Sequence, residues 1–412
     1  MTAAANPRRY VRRLSGMERF ALAINELYRY NIVAVIEGEG NLTRDELQSA
    51  VHAAAAANPG ARVRLKYFLG FSRWIDSGIA PVVTEVDAPD WDGYSERGAT
   101  FLESGFQPRQ GGPVCDVLLV RGNPTRVIVR VLHAAMDGRG TLHFIKDIFK
   151  VLCGEAPIGS SSTLTHADIT AKHLDKVKCT HPEMNCIPIL PPSHREATNV
   201  RYVWRRLRLE RNIGNLLPRM AVFLAQQARK GHEGDVGFTV PVDLRGLREN
   251  VHSTANLISM LYIKVDPEDT PITIMKQINQ NIRDYADCIT PTIMKLVPWL
   301  PISFIASNLR KNAEALLYRT TPALSSGGIV SMGMFKPKEF SCPHFTAHSC
   351  LGIPGSVGKM NVVFMNHDDH TEIIFSTPEA YNRDGQLDRL IADFRTAMEV
   401  SRESVPHQNS SA

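Results

Sequence analysis

Residues 126–138 read Arg-Val-Ile-Val-Arg-Val-Leu-His-Ala-Ala-Met-Asp-Gly, and their order decides how the chain is laid out. Residues 126–132 are mostly apolar and β-branched, which predicts a strand. Leu142, Ile145, Ile148, Phe149 and Leu152 then recur on one helical face, and Gly154 closes that run. The segment from His133 to Gly138 therefore lies on a strand-to-helix loop. Flanking elements hold side chains on such loops still, which is why catalytic groups often occupy them. Upstream, residues 113–121 form a second apolar strand, joined to the first at Gly122-Asn-Pro-Thr. That connection suggests an antiparallel hairpin.

Working outward, the same mixture of strands and helices continues. Residues 30–37 (YNIVAVIE) predict a strand. Thr43-Arg-Asp-Glu46 is a capping box, followed by Leu47, Val51, Ala54 and Ala55 on one helical face, and Pro59-Gly60 ends that helix. Residues 62–67 alternate as a strand does. Residues 156–200 are richer in Gly, Ser, Thr and then Pro, the composition of a crossover between two halves. Beyond it come strands at 200–209, 235–242 and 258–265, helices at 213–230 and 271–288, and a helical run with Pro breaks at 292–318. A strand pair at 359–366 and 371–376 and a helix at 385–399 close the chain. The expected organisation is an α/β (α+β) chain with a lobe over 1–178, a linker over 179–199 and a second lobe over 200–412.

Composition narrows the class. The 412 residues are 43% hydrophobic and 22% charged, enough for two domain-sized cores. A net charge of +5 is too mild to argue for nucleic acid. Apolar runs such as 293–302 are broken by Pro and Lys, so no membrane span is expected. The basic N-terminus lacks the apolar stretch of a signal peptide. Seven scattered cysteines fit reduced thiols, and the expected location is cytoplasmic.

The chemistry centres on His133. A neutral imidazole accepts a proton at physiological pH, so His133 is the candidate general base. The plain alternative is a buried histidine at a strand end. Asp137 stands four residues on, where an acid also favours the start of the following helix. Gly138 offers close approach of a substrate or a positive φ. Cys342, His344, His348 and Cys350 are metal-ligand types, but their spacing matches no standard zinc site, and no metal is expected. Arg201, Arg205, Arg206, Arg208 and Arg211 form a basic cluster suited to phosphates or an acidic partner.

His133, Asp137 and Gly138 together resemble the HxxxDG motif of the chloramphenicol-acetyltransferase-like superfamily. That superfamily includes condensation domains, alcohol acyltransferases and polyketide-associated acyltransferases. Its familiar form is HHxxxDG, and here Leu132 stands in the first histidine's place. Other stretches resemble the family in the same order along nearly the whole chain. They are Leu14-Ser-Gly-Met-Glu-Arg-Phe, Ala57-Asn-Pro-Gly-Ala-Arg-Val-Arg-Leu, Pro241-Val-Asp-Leu-Arg245 with Asn256, and Pro322-Ala-Leu-Ser-Ser-Gly-Gly328. The plant-type DFGWG motif is absent.

The resemblance implies a two-lobed fold with the active site in a channel between the lobes. It implies an acyltransferase or condensation enzyme, with His133 as base and an alcohol or amine as acceptor. The donor would be acyl-coenzyme A or a phosphopantetheinyl acyl carrier protein, with no bound cofactor. Asp137 is expected to be architectural and to pair with Arg245. Ser325, Ser326 and Asn256 are candidates for contacting the substrate or the oxyanion. The competing reading is a non-catalytic relative that binds a carrier protein as a scaffold.

Overall fold

The hairpin of residues 115–132 lies in the middle of the first sheet. The computed structural model describes residues 10–191, 201–289, 296–318, 325–355 and 358–400. Strand β6 (Cys115–Arg121) and strand β7 (Thr125–Leu132) pair antiparallel, and β2 (Asn31–Gly40) runs antiparallel along the other side of β7. Strand β5 (Val83–Asp87) adds in parallel beyond β6. The other edge comes from far along the chain. Strand β12 (Phe345–Ile353) pairs antiparallel with β2, from Phe345 opposite Gly40 to Ile353 opposite Val33. The first sheet therefore draws on both halves of the sequence. A short three-stranded sheet, β1 (Val11–Arg13), β4 (Arg73–Asp76) and β3 (Val63–Lys66), lies apart from it.

The second sheet has the order β10-β9-β11-β13-β14-β8, formed by Ile258–Lys264, Gly237–Asp243, Gly327–Met334, Asn361–Asn366, Thr371–Pro378 and Tyr202–Leu209. It is mixed, since β11 runs parallel to both β9 and β13 while its other pairs are antiparallel. Helices α2 (Arg44–Ala57) and α3 (Gly138–Leu152) cover one face of the first sheet, with Leu47, Val51, Phe144, Ile148 and Phe149 in the core. Thr43 and Glu46 make the reciprocal capping box that starts α2. Helices α5 (Leu216–Arg229), α6 (Pro271–Arg283) and α8 (Gln386–Val400) cover the second sheet through Met220, Leu224, Ile274 and Phe394. Helix α4 (His166–Thr170) is a single short turn, and α7 (Ile302–Tyr318) packs on α1 (Gly16–Asn25) of the first half. No described helix is long and apolar enough to cross a membrane.

The uncovered faces of the two sheets meet each other. Alternation along β7 sends Val127, Val129 and Val131 toward the helices and Ile128 toward the other sheet, where it packs with Val35, Leu118, Trp204 and Ile374. Arg126 shares that inner face and is fully buried. Its Nε donates to Glu37 of β2 at 2.9 Å, while Arg206 of β8 reaches Glu37 at 2.8 Å and Glu372 of β14 at 2.8 Å. Burial alone would raise the Glu372 pKa, but hydrogen bonds from Arg206 and His370 overcome it and hold the carboxyl at about 2. The sequence placed Arg206 in a surface basic cluster, and the structure corrects this. Arg206 is an internal cross-link between sheets, and its neighbour Arg205 is tied to Glu96 at 2.8 Å and Asp388 at 2.9 Å.

Candidate active site

The loop after β7 is held from both lobes. Backbone turns return Ala135 N and Met136 N to Leu132 O, and Met136 bridges Ala255 of the segment leading into β10. Asp137 then caps α3, with Oδ1 accepting from Gly140 N at 2.7 Å. The carboxylate is fully buried and accepts three further hydrogen bonds from the second lobe. Leu257 N donates at 2.6 Å, and both terminal nitrogens of Arg245 donate at 3.1 Å. Arg245 is itself fixed by Asp243 at 2.8 Å and by the carbonyls of Ser253 and Ala255 at 3.0 and 2.7 Å. A carboxylate whose two oxygens are filled in this way is a positioning group, and it does not line the neighbouring cavity.

His133 is the first residue beyond β7. Its amide donates to Tyr30 O at 3.0 Å, and its ring stacks on the Tyr30 ring at 4.6 Å and 20°. Asn256 Nδ2 donates to His133 O at 2.7 Å and lies 3.3 Å from Nδ1. The imidazole also lies against its own backbone carbonyl, which favours the protonated form. The protein thus engages the Nδ1 edge, and Nε2 has no partner among the described residues. Burial pushes the imidazole pKa below its ordinary value, against the opposing pull of that carbonyl and of the Asp137 charge. The ring is therefore neutral at pH 7 and able to accept a proton.

His133 lines a cavity of about 250 Å³ between the two sheets. Ile32 and Ala34 of β2 and Gly352 and Ile353 of β12 form one wall, and Met260 of β10 and Val330 and Met332 of β11 face them. Gly138 lines it without a positive φ, which leaves close approach as the reason for glycine. A Cβ there would stand 3.3 Å from the Met332 side chain. Leu132, in the place of the family's first histidine, is fully buried in the core of the first lobe, away from the cavity.

Not every candidate from the sequence is brought here. Ser326 is fully buried, its amide donating to Gly237 O at 2.7 Å, and neither Ser325 nor Ser326 lines the cavity. The strand beginning at Gly327 instead brings Val330, Ser331 and Met332 to the lining. Asn256 is committed to His133 rather than open to substrate. His344 pairs with Glu46 at 2.6 Å and Cys350 is buried in β12, so the Cys/His stretch is divided between a surface pair and the core. Sequence reasoning missed Tyr30, Arg139, Thr239 and Ser331, all of which line the cavity. Of these only Arg139 carried a signal, a cation directly after the motif glycine at a helix start.

No family model matches this sequence, and no curated protein matches it. Solved structures do. The starter condensation domain of rhizomide synthetase, in complex with C8-CoA and Leu-SNAC, superposes with a TM-score of 0.65 at 14% identity, covering 95% of this chain and 94% of that one. The condensation domain of monacolin K polyketide synthase gives 0.60 at 10% identity, over 94% and 96%. The chain has the two-lobed chloramphenicol-acetyltransferase-like fold. The epimerization domain from the third module of tyrocidine synthetase B shares it too, with a TM-score of 0.58 at 13% identity over 97% and 98%.

Proposed function

We propose that this chain is an acyltransferase of the condensation type, moving an acyl group from a thioester to a hydroxyl or amine, with His133 as general base. The observation that carries this reading is a neutral imidazole, with Nε2 unpartnered among the described residues, on the lining of a cavity between the lobes. In this mechanism Nε2 takes the proton of the acceptor as its oxygen or nitrogen attacks the thioester carbonyl. The tetrahedral intermediate carries an oxyanion, for which Ser331 on the lining is a proposed donor. Collapse breaks the C–S bond, and the leaving thiolate takes the proton back from the imidazolium. A histidine base and an activated thioester suffice for these steps.

The donor is acyl-coenzyme A or an acyl carrier protein, and the acceptor is a small alcohol or amine. The rhizomide synthetase domain, solved with C8-CoA, favours offering an eight-carbon donor first. Leu132 in the first histidine's place raises the scaffold reading, but it packs into the core rather than the cavity, which supports a working site. The test offers octanoyl-coenzyme A or octanoyl carrier protein with a series of alcohols and amines, and follows thiol release and product mass. Ester or amide formation with either donor is expected. Carrier-protein binding without transfer from either donor replaces this reading with the scaffold one.

A further inference from the structure

One cation lining the cavity has no partner among the described residues. Arg139 and Asp243 both line it. Asp243 accepts from Arg245 through Nη1 at 2.8 Å and through its backbone N at 3.1 Å, and shares that guanidinium with Asp137. Arg139 has no hydrogen bond or ion pair with any described residue, and its side chain is exposed at the rim. Its position is electrostatically unfavourable, since it is the second residue of α3, where the helix dipole disfavours a cation. Its guanidinium lies over the backbone of Gly333, at φ +88°, where a Cβ would come within 3.3 Å of Nη2. The rest of the lining is mainly aliphatic.

We infer that the substrate used in this cavity carries a carboxylate, and that Arg139 receives it. The inference rests on the acyl-transfer reading for what is transferred, but not for what is bound. The phosphates of coenzyme A do not meet this guanidinium. They are separated from the thioester by the whole pantetheine arm, whereas Arg139 and the base share a cavity of about 250 Å³. The anion therefore belongs to the acyl chain or to the acceptor. A planar guanidinium whose terminal nitrogens have no partner among the described residues suits a carboxylate in a bidentate pair.

Binding decides the matter without requiring turnover. Calorimetry compares the carboxylates from butyrate to decanoate with their amides, on the wild type, Arg139→Gln, Arg139→Lys and His133→Ala. At least one carboxylate is expected to bind the wild type about tenfold more tightly than its amide, the size of one partly screened charge-assisted hydrogen bond. Arg139→Gln is expected to abolish that preference at an unchanged melting temperature, Arg139→Lys to keep part of it, and His133→Ala to keep it whole. Equal binding of every acid and amide, or a preference that survives Arg139→Gln, overturns the inference. Turnover then assigns the source, by comparing a dicarboxylic with a monocarboxylic acyl-coenzyme A and 3-hydroxybutyrate with its amide. Absence of transfer in every wild-type arm refutes the acyl-transfer reading and leaves the binding preference to be judged by itself.

Discussion

Asp137 follows His133, the proposed base, by four residues and is occupied by hydrogen bonds of its own. It caps α3, takes the Leu257 amide and holds Arg245 through two parallel hydrogen bonds, so one carboxylate ties the motif loop to the second lobe. Removing the Asp137 charge takes one of two carboxylates from Arg245 and weakens the acceptor of the buried Leu257 amide. Asp137→Asn is therefore expected to lower stability by about 3 kcal/mol, read as a shift in urea midpoint at constant slope. A change within about 0.5 kcal/mol, the range of neutral surface substitutions, contradicts that role. Residue types explain what could be read from the sequence here. A lone histidine before Asp-Gly on a loop is legible as a base candidate. The burial of Arg206 was not legible, because an arginine on an amphipathic strand looks the same whether its partner is water or Glu372.

At the scale of elements, the start of α3 is set by backbone contact. Gly140 lies against the segment before β10, and a Cβ on it would stand 2.3 Å from Thr254 O. Alanine in place of a helical glycine ordinarily stabilises by about 1 kcal/mol. Here the sign is expected to reverse. Gly140→Ala should cost about 1–3 kcal/mol by overpacking, and a raised melting temperature would contradict the contact. The elements that the sequence revealed, among them β7, α2 and α3, have strong periodicity or caps. Strands β11 and β12 escaped it. Strand β11 reads Gly-Gly-Ile-Val-Ser-Met-Gly-Met, with three glycines and no clean alternation, and β12 mixes His, Ser and Cys among its apolar residues. Both are stabilised by neighbours distant in sequence, and β11 carries part of the cavity wall, so Ser331 was hidden along with it.

For the whole molecule, the decisive feature is that two sheets turn their uncovered faces toward each other. Arg126, Glu37, Arg206 and Glu372 cross-link them at one place and the Asp137–Arg245 pair at another, and the cavity lies between. His133 comes from one lobe, Asn256 and Met260 from the other, so the cavity and the support of His133 draw on both. The two-lobed layout was legible from the order of strands and helices with the family resemblance. The crossing of β12 into the first sheet was not, because nothing local distinguishes a strand that pairs with its own lobe from one that reaches across. The account stands most directly on His133 as the base. The measurement is kcat/KM for acyl transfer against pH, for the wild type and for His133→Ala of equal melting temperature. The wild type is predicted to lose activity as pH falls through a pKa below the ordinary imidazole value of about 6.5, since the protonated ring accepts no proton. His133→Ala is predicted to fall at least about 100-fold and to lose that acid limb. A variant that retains the wild-type rate and profile would contradict the account.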